Sequence, residues 1–214
     1  MQKKHKIIII SIILILGILT ILKIFVFKDY KMKNLGNNNS IFTTSESKIF
    51  NMKSYEAEIT VTVKSNKNTN TYVLSQKYVA PNLYKQEIIE PFNIKGLTIS
   101  YDGKDLKLHN TKLNINKVYE NYMYIGDNFL LLNQFIKEYT ESSQSKKEEN
   151  ETEEIYKTIA VNSNKYAIYK TLYIDKKTKN PTKLEIQDIN QNTMVYILYN
   201  KIKIDSLNEN DIFI

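Results

Sequence analysis

Residues 56–64 read Glu-Ala-Glu-Ile-Thr-Val-Thr-Val-Lys, a strict alternation of apolar and polar side chains. Successive side chains of an extended strand point to opposite faces, so this period of two predicts a strand buried on one side only. Ala57, Ile59, Val61 and Val63 take the inward positions, and Glu56, Glu58, Thr60, Thr62 and Lys64 face out. Lys64–Asn70 is a polar hairpin tip, residues 71–79 return as a second strand, and Pro81-Asn82 turns the chain into a third at 83–90. Residues 97–101 and 105–109 make a short hairpin about Asp102-Gly103, and 112–119 form another strand.

One segment changes period. In residues 128–139 the side chains of Phe129, Leu132, Phe135, Ile136 and Tyr139 fall on one stripe of a helix, with Asp127 or Asn128 as its cap. Residues 140–154 hold no apolar side chain and read as an exposed, acidic-leaning loop. Strands resume at 155–161, 165–174, 182–189 and 193–204, and a last short one is expected at Asn210–Ile214. A short helix at 43–52, capped by Thr43 or Thr44, sets Ile49 and Met52 against the core. Nine or ten strands with helices at two places predict an α+β fold: one curved antiparallel sheet, a half-barrel, with a helix in its concave face. Residues 165–174 and 193–199 are apolar on both faces, so they are expected to be covered on both sides or to line an apolar concavity. The candidate concave-face lining is Phe129, Leu132, Phe135, Tyr196 and Leu198.

Upstream of this domain, Ile7–Phe27 is apolar apart from Ser11, Thr20 and Lys23. As a helix it spans roughly 31 Å, against a hydrocarbon core of about 30 Å. The apolar run is long for a signal peptide, and no small-residue cleavage site follows it. The expected organisation is a cytoplasmic stub and transmembrane anchor at 1–28, a polar spacer at 29–42, and the sheet domain at 43–214. The lean is amino terminus in and carboxyl domain out, across the cytoplasmic membrane. Residues 1–35 carry seven of the 30 lysines and one of the 23 acids, so most of the net charge of +7 belongs to the anchor. The remaining domain is close to neutral and the chain has no arginine, which argues against nucleic acid as a partner.

Catalytic groups are sparse. His5 lies in the stub, and His109 has no second histidine and no cysteine with which to hold a metal. Asp102 and Asp105 flank a turn, and the acids of 148–154 read as a solvated patch. No catalytic, cofactor-binding or metal-binding residue is assigned, and no cofactor is expected. Sixteen tyrosines and eight phenylalanines supply cross-strand packing, with some left over for a pocket or a contact surface.

Several tracts together resemble a known family. Asn51–Val63 is similar to the first helix-to-strand passage of LolA-like proteins. Gln76–Lys85 resembles their second turn, Ile99–Leu106 their Asp-Gly-Lys hairpin, and Leu172–Thr178 with Asn180–Leu184 their late hairpin. The likeness covers about 45–210 and, within that fold, looks most like the clostridial GerS-like spore germination proteins. It implies a non-enzymatic scaffold, the partner of a cell-wall amidase of CwlD type that modifies cortex peptidoglycan during sporulation, on the forespore or intermembrane side. The alternative it implies is a lipid or lipoprotein carrier, or a sensor, using the concave apolar face. An acyl lipid and a second copy of the chain stay open as further partners. GerS-type lipoproteins carry a lipid-bearing cysteine; this chain has no cysteine and a hydrophobic segment in its place. The expected consequence is that the mature protein keeps its amino terminus and stays with membranes after a high-salt wash. Amino-terminal sequencing that starts beyond Phe27 would refute the anchor.

Overall fold

The fold is held at its middle by two strands far apart in sequence. The computed structural model describes residues 47–65, 67–123, 128–160 and 166–213. After a four-residue helix α1 (Ser47–Phe50), six strands follow: β1 (Ser54–Lys64), β2 (Thr69–Val79), β3 (Leu83–Glu90), β4 (Thr98–Tyr101), β5 (Leu106–Asn110) and β6 (Ile115–Tyr119). Helix α2 (Leu132–Glu141) comes next. Then come β7 (Lys146–Glu149), β8 (Glu153–Ile159), β9 (Tyr169–Asp175), β10 (Pro181–Gln187) and β11 (Thr193–Ile204). All eleven strands join one antiparallel sheet in the order β6-β5-β4-β3-β2-β1-β11-β10-β9-β8-β7. The first six march outward from the centre, the chain crosses with α2 to the opposite edge, and the last five march back until β11 lies beside β1.

The expected alternation of β1 holds: Ala57, Ile59 and Val61 are buried, with Ile59 fully so, while Thr60 and Thr62 are half exposed. The strand β11 resolves the apparent two-sided apolar run. Val195, Ile197 and Tyr199 are buried, then the inward phase passes to Ile202 and Ile204. Glu58 pairs with Lys201 and Ile59 with Tyr199, so Asn200 is an extra residue in a β-bulge. One inserted residue moves the inward set from odd to even positions and keeps both halves of the strand on the core. Its side chain is held on the other face, donating to Thr60 Oγ1 at 2.9 Å. The expectation that this strand is covered on both sides is therefore corrected. In β9 the alternation is also regular, with Lys170, Leu172 and Ile174 inward.

Four further differences have local causes. Helix α2 begins at Leu132 rather than 128. Asn128 instead builds the preceding turn, its Oδ1 accepting from Leu130 N at 3.3 Å and its carbonyl from Leu131 N at 3.1 Å. The stretch expected as a loop at 140–154 contains β7 and the start of β8: Lys-Lys-Glu-Glu has no apolar face because an edge strand exposed on both sides needs none. The terminal strand is replaced by a 3₁₀ turn at Glu209–Asp211, capped by Asn208, which drops Ile212 into the core. Strand β8 covers 153–159 rather than 155–161, its start paired with β7, and β9 covers 169–175 rather than 165–174. The caps expected at Thr43, Thr44 and Asp127, the spacer and the apolar segment 7–27 lie outside the described residues. Among the described residues, no helix is long and apolar enough to cross a membrane.

The register of β1 gives a direct test. Ile59→Ala is expected to cost about 2–5 kcal/mol and Thr60→Ala within about 0.5 kcal/mol, read from urea denaturation midpoints. Equal costs would refute the register.

Candidate functional site: interior, outer face and sheet edges

The space between α2 and the sheet is occupied by side chains. Leu131, Leu132 and Phe135 are essentially inaccessible, and Ile136 is buried beside them. Phe129 is half-buried in the turn before the helix and packs against the same core. Four rings knit the helices to the sheet. Phe50 of α1 lies 5.2 Å from Tyr139 and 5.0 Å from Tyr156, Tyr139 meets Tyr156 edge-on at 5.4 Å, and Phe135 stacks on Tyr139 at 6.0 Å. Centroid separations of this size are those of favourable aromatic pairs.

The helix start is fixed by a buried polar chain. Tyr55 Oη accepts from Leu132 N at 3.2 Å and donates to Gln76 Oε1 at 3.3 Å, and Gln76 Nε2 donates to Leu130 O at 3.1 Å. One of the backbone donors left open at a helix start is thereby satisfied in a place water does not reach. Burial pushes the Tyr55 hydroxyl far above the usual phenol range, and the Tyr84 hydroxyl up to about 12. Neither is available as an acid or base near neutrality. Asn128 Nδ2 donates to Gln86 Oε1 at 3.1 Å, which ties the same turn to β3.

Charge enters the interior once on this side. Lys170, 3% exposed, reaches Glu138 of α2, with Nζ 2.7 Å from Oε1 and 2.5 Å from Oε2. A buried cation is tolerated only with such a partner, and the pair clamps the helix to β9. Toward the β7 edge, burial would raise the Glu154 carboxyl. Hydrogen bonds from Lys179 at 2.9 Å and Tyr156 at 3.0 Å outweigh that, and it is held below the usual range. The reading of 148–154 as a wholly solvated patch is thus corrected at Glu154.

Of the five residues expected to line the concave face, Leu132, Phe135 and Phe129 do lie on the helix side. Tyr196 and Leu198 do not. They alternate with Val195, Ile197 and Tyr199, so they stand on the opposite face, where Leu198 is 38% exposed. A strand cannot send neighbouring residues to one face, and the bulge restores the phase only beyond Tyr199. On that outer face Lys183 Nζ sits 3.7 Å from the centre of the Tyr173 ring and 5.6 Å from that of Tyr196, with Glu185 Oε1 at 3.1 Å. The cluster is internally satisfied.

The chemistry expected at the turns is in place. Asp102 Oδ1 accepts from Lys104 N and Asp105 N, at 3.1 and 2.8 Å, and Oδ2 takes Lys107 at 2.6 Å. The hydrogen bond from Lys107, then that from the Asp105 amide, lowers this carboxyl to about 2. His109 is exposed, with Thr111 Oγ1 at 3.2 Å from its Nε2. Among the described residues no group of three or more acids, histidines or cysteines could hold a metal.

The two sheet edges are unlike, which the strand pattern did not reveal. Strand β7 is charged at every position, and Glu148 and Glu149 are tied to Lys157 and Lys176 at 2.6 and 3.4 Å. Strand β6 presents Val118 and Tyr119, 51% and 37% exposed. Met123 is exposed four residues beyond β6, and Phe92, between β3 and β4, is exposed with Lys112 Nζ 5.9 Å from its ring centre.

A family model described as sporulation protein YdcC-like matches residues 4–213. No curated protein matches the sequence. Among solved structures, the chain is similar to one in the complex of the CwlD amidase with the GerS lipoprotein from Clostridioides difficile. Identity there is 27%, over 80% of this chain and 98% of that one, with a TM-score of 0.48. It is also similar to the LolA superfamily protein NE2245 from Nitrosomonas europaea, at 12% identity over 79% and 94% of the two chains and a TM-score of 0.44.

The polar chain at the helix start gives a test. Tyr55→Phe removes the hydroxyl partner of the Leu132 amide and of Gln76 Oε1 and is expected to cost about 1–3 kcal/mol in chemical denaturation. Leu198→Ala, on the outer face, is expected to stay within about 0.5 kcal/mol. A large cost at Leu198 would place it in the core after all.

Proposed function

The chain belongs to the YdcC-like sporulation protein family, and from that premise we propose that it is a membrane-anchored scaffold without catalytic activity that supports a cortex-modifying cell-wall amidase. The observation that carries the reading is the occupied interior. Leu131, Leu132 and Phe135 fill the space beneath α2, and the four-ring cluster of Phe50, Phe135, Tyr139 and Tyr156 closes it on the β8 side. A carrier needs that space free for an acyl chain, whereas a scaffold works from its outside. The amidase is named by the likeness to the CwlD–GerS complex and by the sequence tracts that resemble GerS-like proteins. The apolar segment 7–27 would tether the domain to the membrane from within, where a lipoprotein uses its lipid. The domain would then stand on the extracytoplasmic side, where peptidoglycan is modified.

The test uses the full chain, purified in mild detergent from sporulating cells. The expected result is recovery of a cell-wall amidase at near one-to-one ratio and native mass spectra free of a stoichiometric acyl species. A bound acyl lipid at one per chain, with no amidase, would overturn the scaffold and install the carrier.

A further inference from the structure

We infer that the outer edge of β6 takes up an extended, acidic-and-apolar strand of a protein partner as a twelfth strand of the sheet. The inference deepens the scaffold reading, on which it rests for the class of partner. It begins from an asymmetry between the two ends of one sheet. An edge strand leaves every second backbone N–H and C=O pointing away from its neighbour, ready to pair with another chain. Natural sheets guard such edges with charge, and β7 does so at all four positions. Strand β6, Ile-Asn-Lys-Val-Tyr, has one charge in five, at Lys117, and two exposed apolar side chains, so it is less guarded than β7.

Just past β6, Tyr122 N donates to Lys104 O at 2.9 Å and Tyr122 O accepts from Tyr101 Oη at 3.2 Å, which holds Tyr122 against the β4–β5 hairpin. No other strand lies beyond β6 among the described residues. All five of its residues pair with β5, from Ile115 opposite Asn110 to Tyr119 opposite Leu106. The strand is thus held straight and in register, presenting an edge of roughly 17 Å at the usual rise per residue.

Charge selects the occupant. Residues 92–123 hold five lysines against three acids, while 138–157, at the other end of the sheet, hold seven acids against three lysines. Of the three acids near β6, Asp102 is taken by Lys107, Asp105 accepts from Asn121 N at 2.9 Å, and Glu120 is exposed one residue past the strand. Lys117 on β6 and Lys104 in the hairpin have no acidic partner among the described residues. An incoming strand that places a carboxylate beside Lys117, and apolar side chains beside Val118 and Tyr119, meets complementary groups along the whole edge. A lysine-bearing strand meets repulsion instead.

The experiment exposes the full chain in detergent micelles to three synthetic ten-residue peptides. One repeats Val-Tyr-Glu-Thr, so that Glu can stand opposite Lys117 with Tyr and Val opposite Val118 and Tyr119, one carries Lys in place of Glu, and one is the acidic peptide interrupted by two prolines. Hydrogen exchange followed by mass spectrometry reads the amides of 115–119 and of 146–149. The acidic peptide is expected to slow exchange in 115–119 about tenfold or more, leaving 146–149 unchanged, and the other two peptides to have no effect. Lys117→Glu is expected to weaken the acidic peptide about fivefold in fluorescence anisotropy and to admit the lysine peptide. Lys117→Gln, which only removes the charge, should fall between. Equal protection by the acidic and lysine peptides, protection at 146–149, or none at 115–119 would overturn the inference. An amidase that binds without altering exchange in 115–119 would overturn it too, yet leave the scaffold standing. Protection by the acidic peptide with no amidase recovered would leave the edge site and remove the scaffold.

Discussion

The pairing of β1 with β11 is the constraint on which the rest of this molecule depends. The two strands are separated by well over a hundred residues, yet they pair from Tyr55 opposite Ile204 to Val63 opposite Val195. Each half of the sheet is a meander of hairpins that closes locally. Only this seam makes one sheet of two. Its closure is reinforced at one end, where Asp205 Oδ1 accepts from Lys53 N at 2.7 Å and Asp205 N donates to Ser54 O at 2.8 Å. Lys77 Nζ adds a 2.8 Å bond to Asp211 O, drawing the chain end across β2. Long-range pairing of this kind carries a loop-closure cost before it yields contacts, which fits a chain that places its most regular alternation at the seam.

Once the seam is made, a sheet of eleven strands has one face to bury and few helical residues with which to bury it. The cover is concentrated. Helix α2 is fastened by Tyr55 at its start and by Lys170 near its end, so two strands on opposite sides of the seam fix one helix. The bulge at Asn200 serves the same end by returning β11 to the core after Tyr199. What remains outside is a largely satisfied face, with cross-strand pairs such as Lys203 with Glu56 at 2.7 Å, each worth a few tenths of a kcal/mol. The unsatisfied backbone is at the edges. The proposed scaffold role and the β6 inference share one premise, that a domain with side chains packed beneath its helix and one lightly charged edge works from its outside.

Much of this was legible from residue order. The clean alternation of 56–64 placed Ile59 and Val61 inside, Asp102-Gly103 marked its hairpin, and the stripe of Leu132, Phe135, Ile136 and Tyr139 located the one substantial helix. The misreadings share a cause, since each turned on a contact outside its own segment. The charged strand β7 has no apolar signal because neither of its faces is buried. Asn128 looked like a helix cap, but its side chain serves the turn before the helix and Gln86 of β3. Tyr196 and Leu198 looked like lining because the phase change at Asn200 blurred two simple alternations into one apolar run.

By itself, then, residue order determined the class of the fold, the strands with one buried face, and the scarcity of catalytic groups, because period and composition are local properties of the chain. It also set the apolar character of 7–27 and the near-neutral charge of the remaining domain. Tertiary structure decided which strand lies beside which, and hence that β6 and β7 are edges. Neighbour relations depend on closures across the whole chain, which a local period does not encode. Burial of Lys170 and Glu154 was decided the same way, since a charged side chain enters a core only when a distant strand, turn or helix supplies its partner.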